Sequence, residues 1–338
     1  MKPDSRALEL HRACVPVDLH ADTPVLLRFG YDIGSRHEPP LPRGALGMNL
    51  DLPRMREGGL AAQFFGLVSL PRALPFGWGG PKRTVDALLD ALETAAANYP
   101  NQFVLARTVD EIQCARNSGK IAGLCGIEGA HALEGNLDNL VHFANRGVCY
   151  LGLVHFSRNQ AAAPAYGKGT DPDFGLTKFG HELLDELHRL KIIVDLAHLN
   201  RKGFLETAIR SRQPVIVSHT GVSGIHPHWR NIDDEQIRAV AKTGGCVGVI
   251  FSRRFLGRAN LRGVCTHLSH LIKVGGEDLP ALGSDFDGLA TPPRGLEDIS
   301  RLPNLTATML QEGLSSSQVA KILGENVLRV LEKVRGGI

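Results

Sequence analysis

Short apolar segments of strand length recur along the whole chain, and each is separated from the next by a segment with helical periodicity. This alternation is typical of repeated βα units, whose strands form a parallel sheet. Because helices cover such a sheet, its strands are near-continuous runs of Val, Ile and Leu. Eight such runs occur, at residues 15–22, 60–68, 120–128, 148–155, 191–198, 214–219, 245–252 and 279–286. The pattern predicts an α/β protein whose eight strands close into a (β/α)8 TIM barrel, with an open doubly wound sheet as the alternative.

The segments between the strands supply the helices of this fold. Amphipathic stretches lie at residues 84–99, 176–190, 233–244 and 263–274, and each is flanked by residues that start or stop helices. Residues 305–334 are expected to form two further helices, the second beginning near a Ser cap at 315–317. No linker or short repeat divides the chain, so we expect one barrel domain over residues 1–338 with a C-terminal helical extension.

Two long loops, at residues 69–84 and 157–174, are rich in Gly and Pro and follow the second and fourth predicted strands. Barrel enzymes place their substrate-binding loops after the carboxyl ends of the strands. We therefore expect these two loops to determine which substrate is preferred.

Charge and composition exclude several classes of function. The net charge of +3 comes from 38 basic and 35 acidic residues without a Lys/Arg cluster, so no nucleic-acid partner is expected. No segment has the apolar length of a signal peptide or of a membrane span, about 18 residues, and we expect a cytoplasmic protein with no membrane partner. The six cysteines include no CxxC pair and are expected to be buried free thiols.

Side chains that bind metals stand at the last positions of the predicted strands. Because these ends meet on one face of a barrel, residues far apart in sequence can converge there. His20 and Asp22 are two residues apart, and the strand period of two turns both to the same side. A lone HxD motif is a weak signal, so the prediction depends on the whole set. The set is His20, Asp22, Glu128, His155, His198, His219 and Asp285.

The types of side chain in this set indicate which metal they bind. Imidazole and carboxylate ligands suit Zn²⁺, Mn²⁺ or Fe²⁺ better than Ca²⁺ or Cu(I). The pattern favours two ions bridged by Glu128, with a hydroxide held between them. Paired ions about 3.5–4 Å apart lower the pKa of a bridging water and polarise a substrate carbonyl. The sequence therefore predicts two divalent metal ions per chain, with zinc expected, and a hydrolytic reaction.

Three more charged residues have candidate roles. Asp285, in the segment GSDFDG, is suited to take a proton from the attacking water and pass it to the leaving nitrogen, as amide hydrolysis requires. Asp287 is expected to be a structural group that supports the site. Arg230 either forms a salt bridge within its loop, which its acidic neighbours favour, or pairs with a substrate carboxylate.

Several segments, in order along nearly the whole chain, carry a family resemblance: DLHAD, GIEGAHAL, YLGLVHFSRN, PVIVSHTG, RNIDDEQIRAV, GSDFDG and PPRGLEDISRLPNL. With them the chain resembles the membrane (renal) dipeptidases, the M19-type peptidases of the amidohydrolase superfamily. The resemblance implies a metal-dependent hydrolase on a (β/α)8 barrel, a small dipeptide as substrate, L-Xaa-L-Xaa or L-Xaa-D-Xaa, and a tendency to form homodimers.

The resemblance also implies a role for each site residue. His20 and Asp22 would hold one zinc ion, His198 and His219 the other, and Glu128 would bridge them. His155 would stabilise the oxyanion, Arg230 would bind the substrate's C-terminal carboxylate, and Asp285 would bind the free amino group and shuttle the proton. The implied function is a dinuclear zinc dipeptidase in which a hydroxide bridging the metals attacks the peptide bond.

The chain departs from the common family pattern beside the first ligands, where Leu19 and Ala21 replace a Gly and an Asn. The loop at 157–174 also shares little with the animal enzymes beyond its start. Two alternatives therefore stay open. One is an amidohydrolase acting on another small amide or an N-acyl amino acid, and the other is a non-catalytic metal-binding protein on the same fold.

Overall fold

Nine parallel strands lie within residues 3–39, 41, 47–69 and 79–336, which the computed structural model describes. They are β1 Val17–Ala21, β2 Ala62–Val68, β3 Phe103–Leu105, β4 Ile121–Glu128, β5 Val148–Gly152, β6 Ile193–Asp195, β7 Val215–Thr220, β8 Cys246–Val249 and β9 Pro280–Leu282. Pairing runs from β1 through β2, β4, β5, β6, β7, β8 and β9 and returns to β1, which closes the barrel. The predicted (β/α)8 TIM barrel is confirmed, and each of the eight predicted runs overlaps one barrel strand.

Two differences from the predicted strands have simple causes. The three-residue strand β3 pairs only with the start of β4 and stands outside the ring of eight, and it is too short to give a clear hydrophobic run. The fifth and eighth predicted strands, 191–198 and 279–286, extend too far, since β6 ends at Asp195 and β9 at Leu282. The segment after each of these strands then enters the left-handed region of backbone conformation, at His198 (φ 66°) and at Asp285 (φ 59°). A residue in that region cannot continue a strand.

Fourteen α-helices are found in the described part of the chain. They are α1 Ser5–Ala13, α2 Thr23–Arg28, α3 Leu52–Glu57, α4 Pro81–Asn98, α5 Val109–Asn117, α6 Asp138–Asn145, α7 Lys178–Arg189, α8 Arg201–Arg210, α9 Asp234–Thr243, α10 Arg253–Leu256, α11 Leu261–Gly275, α12 Leu302–Gln311, α13 Ser316–Ala320 and α14 Asn326–Arg335. Each predicted amphipathic stretch forms one of them.

Helix ends follow the local sequence. Asp233 caps α9 by accepting hydrogen bonds from the backbone of Gln236, whose side chain accepts from Asp233 N in return, and Gly244 ends the helix in a left-handed conformation. Ser315 caps α13 in the same reciprocal way with Gln318, as the sequence predicts. A π-helical turn, Lys321–Glu325, then joins α13 to α14.

One end of the barrel is filled by buried apolar side chains. A cluster around Phe64, Leu124 and Ile216 includes side chains of α14, among them Val327 and Leu331, so the C-terminal helix packs against the strands near their amino ends. The carboxyl ends of the strands are left for the polar side chains described below.

A buried histidine joins α11 to the turn after β7. His267 Nδ1 accepts a hydrogen bond from Val222 N at 2.9 Å, and its Nε2 donates to Leu256 O at 3.2 Å. Both ring nitrogens are therefore satisfied only when the ring is neutral. Burial lowers the pKa of His267 to about 4.

All six cysteines are free and five of them are buried, Cys114 being exposed, which confirms the prediction of free thiols. In the described residues no helix combines the length and the apolar character needed to cross a membrane. The predicted loop 157–174 lies over the turn after β6, where Ala165 N donates to His198 O at 2.8 Å. Most of the other predicted loop, residues 70–78, lies outside the described residues.

Candidate active site

The five predicted metal ligands lie at the carboxyl ends of four different strands. Glu128 is the last residue of β4, and His219 lies one residue before the end of β7. His20 lies in β1 and Asp22 follows it directly, while His198 stands in the turn after β6. The barrel therefore brings together residues that are up to 199 positions apart in the printed sequence.

Glu128 is at the centre of this group. Its Oε1 lies 2.8 Å from His198 Nε2 and 3.4 Å from His219 Nε2, and its Oε2 lies 3.7 Å from His20 Nε2. The two oxygens of one buried carboxylate thus face different histidines, as a carboxylate that bridges two ions would. His155 Nε2 stands further off, at 3.8 Å from Oε1.

Three overlapping sets of side chains offer ligand atoms within 4.8 Å of one another. The sets are His20, Glu128 and His219; Glu128, His155 and His198; and His20, Asp22 and Asp285. Because the sets share Glu128 and His20, they form one continuous cluster large enough for more than one ion. All are nitrogen or carboxylate oxygen donors, which suits zinc, manganese or iron.

Two buried polar atoms in the cluster fit a cation. His20 Nε2 and Asp22 Oδ1 lie 3.4 Å apart, and neither has a hydrogen-bond partner. Buried polar atoms without a partner are rare, and a cation between these two would satisfy both. The facing position is Gly66, where a Cβ would lie 2.6 Å from Asp22 Oδ1 and 2.8 Å from His20 Nε2. The residues present therefore fit a metal ion at this position.

Neighbouring charges oppose the effect of burial on the pKa of Glu128 and of His20, and nearby cations reinforce it at His198 and His219. Burial raises the pKa of Glu128, but the surrounding imidazoles outweigh it and hold that pKa well below its usual value. Burial lowers the pKa of His20, but Glu128, Asp22 and Asp285 raise it to about 10. Burial and nearby cations hold the pKa of His198 and of His219 well below the usual value, so both rings are neutral with lone pairs available.

Hydroxyl groups behind two of the histidines fix how the rings are protonated. His20 Nδ1 is 2.7 Å from Tyr150 Oη, and His219 Nδ1 is 2.9 Å from Ser218 Oγ. Tyr150 donates to Leu19 O at 3.3 Å and Ser218 donates to Asp195 Oδ2 at 2.6 Å, so each hydroxyl accepts from the ring. The Nδ1–H tautomer leaves each Nε2 lone pair directed into the cluster.

A buried carboxylate, Asp18, supports the turn that carries Asp285, as Asp195 supports Ser218. Asp18 accepts hydrogen bonds from Ser284 N at 2.7 Å and Ser284 Oγ at 2.6 Å, and Asp285 N donates to His20 O at 3.0 Å. Asp285 thereby lies beside β1 with its left-handed backbone, a strain that is typical of functional sites. Burial and the neighbouring Asp22 raise the pKa of Asp285 well above its usual value.

Asp287 has a structural environment, as the sequence predicts. Its Oδ2 accepts from Thr23 Oγ1 at 2.6 Å and its Oδ1 accepts from Asn49 N at 2.7 Å. These bonds tie the segment after β9 to α2 and to the segment before α3. Asp287 does not belong to the clusters of candidate metal ligands found among the described residues.

Arg230 has no salt bridge of the kind that its sequence neighbours favour. It is buried, its Nη2 donates to His219 O at 2.6 Å, and no carboxylate of the described residues forms an ion pair with it. A buried guanidinium normally has an anionic partner. The guanidinium also lines a cavity of about 280 Å³ that His198 borders. This environment suits an anion supplied by a ligand.

Sequence reasoning missed the groups that support the ligands, namely Tyr150, Ser218, Asp195, Asp18 and Ser284. One signal was available, because Asp18 and Asp195 are charged residues inside otherwise apolar strand runs, and a carboxylate there needs buried partners. The aromatic residue Phe156, which contacts His155 and His198, and Trp229 and Tyr166 beyond it carried no such signal.

Comparisons with known proteins agree with this geometry. The family model of the membrane dipeptidases, peptidase family M19, matches residues 4–336. An uncharacterized dipeptidase of Schizosaccharomyces pombe is 32% identical over 335 residues, which cover 94% of this chain and 80% of the relative.

Two solved structures share the fold over almost their full length. The dipeptidase AC, a metallopeptidase of family M19, is 32% identical with a TM-score of 0.83, covering 96% of this chain and 99% of that one. A metallopeptidase from Rhodobacter sphaeroides, solved with a phosphinate mimic of the dipeptide L-Ala-D-Ala, is 31% identical with a TM-score of 0.82, covering 95% and 99%.

The resemblance inferred from the motifs is thereby confirmed at the level of the family. A match that extends from residue 4 to residue 336, on a closed barrel with clustered metal-ligating side chains, identifies a metal-dependent hydrolase, and the chain belongs to the membrane dipeptidase family, peptidase family M19.

Proposed function

We propose that the protein is a dinuclear zinc dipeptidase that hydrolyses the peptide bond of free dipeptides, L-Xaa-L-Xaa or L-Xaa-D-Xaa. The observation that carries the proposal is the position of Glu128, whose two carboxylate oxygens face different histidines at the centre of the ligand cluster. The M19 relative that binds a mimic of L-Ala-D-Ala supports the choice of dipeptides as substrates.

Five side chains would hold the two ions. His20 and Asp22 would bind one ion, His198 and His219 the other, and Glu128 would bridge them. When bound, the ions would lower the pKa of a water molecule between them and polarise the scissile carbonyl. Tyr150 and Ser218 would keep two of the imidazoles in the tautomer and orientation that binding requires.

Asp285 is the proposed acid and base. It offers a ligand atom within 4.8 Å of those of His20 and Asp22, which supports a role beside the attacking water. Its carboxylate would accept a proton as the carbon–oxygen bond forms and would then give that proton to the departing nitrogen. A raised pKa favours the protonated form that the second step needs. The same carboxylate would bind the substrate's free amino group.

Arg230 and His155 would complete the recognition of the dipeptide. The buried guanidinium without a carboxylate partner among the described residues would form a charge-assisted pair with the substrate's C-terminal carboxylate. His155 would donate a hydrogen bond from Nε2 to the carbonyl oxygen as negative charge develops on it. Binding both ends of the substrate would restrict the site to dipeptides.

The test is a hydrolysis screen on protein whose zinc, manganese and iron contents have been counted. The substrates are L-Ala-L-Ala, L-Ala-D-Ala and N-acetyl-L-Ala-L-Ala. We expect cleavage of at least one free dipeptide, loss of that activity on chelation, about two metal ions per chain, and no cleavage of the acetylated form. Cleavage of the acetylated form alone would instead support an amidohydrolase of N-acyl amino acids, and fully metal-loaded protein that cleaves nothing would support the non-catalytic alternative.

A further inference from the structure

We infer, on the basis of the proposed function, that the cavity beside His198 and Arg230 receives the side chain of the substrate's C-terminal residue and favours an aromatic group there. The cavity lies between the loop 157–174 and the segment after β7. Trp229 lines this cavity, and Phe156 and Tyr166 pack against Trp229, so that the three rings form an aromatic wall that borders the cavity at Trp229.

The three aromatic rings form a continuous surface that reaches the metal ligands. Tyr166 and Trp229 are stacked with centroids 4.4 Å apart and an interplanar angle of 19°, and Trp229 meets Phe156 edge to face at 6.3 Å. Phe156 in turn contacts the rings of His155 at 4.2 Å and His198 at 5.0 Å. A substrate bound at the ligand cluster would therefore lie beside this aromatic surface.

The exposure of these rings is unusual for residues held in place by packing. Phe156 is 45% exposed and Tyr166 is 54% exposed, although both are in contact with other aromatic rings. Grouped aromatic rings that stay accessible to solvent mark surfaces that bind ligands. The exposed ring faces would be covered when an apolar group enters.

The size and lining of the cavity fit one large side chain. Its volume is about 280 Å³, and a cavity of roughly 150 Å³ already accommodates benzene. Apolar contacts are offered by Leu196, Leu199, Ile232, Ala165 and Pro172, in addition to Trp229. A benzyl or indolyl group would bury its surface against this lining, whereas a methyl group would leave most of the space to water.

Arg230 determines which end of the dipeptide supplies the side chain. Arg230 lines the same cavity, and its guanidinium is the proposed partner of the C-terminal carboxylate. The side chain attached to the same α-carbon as that carboxylate is therefore the one that reaches the aromatic wall. The N-terminal residue would lie toward Asp285, which groups with His20 and Asp22 and does not line the cavity.

The first experiment compares kcat/KM for four dipeptides on the metal-loaded enzyme: L-Ala-L-Ala, L-Ala-L-Leu, L-Ala-L-Phe and L-Phe-L-Ala, with the D forms of the second residue in parallel. We expect L-Ala-Phe, in the configuration that is cleaved, to exceed L-Ala-Ala by roughly 10- to 100-fold, and L-Phe-L-Ala to show no such gain. Equal values for L-Ala-Phe and L-Ala-Ala, or a gain only for L-Phe-L-Ala, would overturn the inference and leave the proposed function intact.

Substitutions of Trp229 test whether the aromatic wall causes the preference for L-Ala-Phe over L-Ala-Ala. In Trp229→Ala the ratio of kcat/KM for L-Ala-Phe to that for L-Ala-Ala should approach one, mainly through a higher KM for L-Ala-Phe, and Trp229→Phe should restore part of it. The control is Ile209→Ala, which removes an 80% exposed apolar side chain on α8 and should leave the ratio unchanged. Because each ratio is measured within one protein sample, differences in folding or metal content cancel.

A binding measurement separates this inference from the proposed function. Calorimetric titration of the metal-loaded protein with L- and D-phenylalanine and L- and D-alanine requires no catalysis. One phenylalanine enantiomer should bind at least about tenfold more tightly than alanine, and Trp229→Ala should abolish the difference. If no dipeptide is cleaved but this preference is found, the proposed function fails and the aromatic subsite stands, and if phenylalanine binds no better than alanine, the subsite is wrong.

Discussion

Removing one hydroxyl group behind His20 should weaken metal binding without disturbing the fold. Tyr150 is fully buried, and its ring lies against Gly126, where a Cβ would come within 2.0 Å of the ring carbon that carries the hydroxyl. Tyr150→Phe keeps this packing and deletes only Oη. The loss leaves His20 Nδ1, now 2.7 Å from that oxygen, without its acceptor.

The penalty falls on the metal-bound state. Without metal, the ring of His20 can release its Nδ1 proton to solvent and keep the proton on Nε2, which faces Asp22 and Glu128. With metal bound, Nε2 binds the ion, so the proton must stay on the buried Nδ1, which has no acceptor. An unsatisfied buried donor of this kind costs about 1–3 kcal/mol of binding free energy. Since about 1.4 kcal/mol corresponds to a factor of ten, we expect the affinity of the site to fall by roughly 5- to 150-fold. Removing the hydrogen-bond partner of a metal-binding histidine typically lowers metal affinity by about 10- to 100-fold.

The assay is a zinc titration of metal-free protein in competition with a chelating indicator. The matched control is Tyr99→Phe, which deletes an exposed hydroxyl that bonds to Asp32, and its affinity should equal that of the unmodified protein. Urea unfolding of the metal-free forms should differ by less than about 1 kcal/mol between Tyr150→Phe and the unmodified protein. A zinc affinity within twofold of the unmodified protein would refute the role assigned to this hydroxyl.

Three further predictions concern other residues. Asp285→Asn should lower kcat on the best dipeptide by about 10²- to 10⁴-fold while two metal ions stay bound, and retained activity would exclude the proposed acid and base role. Gly66→Ala places a methyl group against Asp22, so the metal count should fall below two per chain by elemental analysis, and a full count would contradict the packing argument. The depressed pKa of His267 means that the unfolded chain binds a proton before the folded one as pH falls, so the unfolding free energy should decrease by up to about 1.4 kcal/mol per pH unit between pH 6.5 and 4. His267→Gln can still accept from Val222 but does not titrate, and in urea unfolding of metal-free protein its pH slope should be shallower by one proton, whereas equal slopes would contradict the sign and size of this effect.

The barrel was predictable because its strands are buried on both faces. Runs such as KIIVDLAH and GCVGVIFS are apolar enough to mark strands without knowledge of their partners. Their ends were less predictable, since a left-handed residue such as His198 leaves no trace in a hydrophobic pattern. The very short β3 was missed for lack of length.

The candidate metal ligands could be selected from the sequence because barrel topology requires strand ends to converge. Their supports could not, because each contact joins distant positions: Tyr150 reaches His20 across 130 residues, and Ser284 reaches Asp18 across 266. For the same reason the sequence could not predict that Tyr166 stacks on Trp229, since the two residues lie in different loops. The salt bridge that the acidic neighbours of Arg230 suggested is not found among the described residues, where the buried side chain donates to His219 O instead.

The central claim is that two metal ions bridged by Glu128 are required for dipeptide hydrolysis. The most direct test is to remove all metal, add zinc in measured equivalents per chain, and follow hydrolysis of the dipeptide that the screen identifies as the best substrate. Activity should rise to a plateau at two equivalents. A plateau at one equivalent, or activity that survives complete removal of metal, would contradict it.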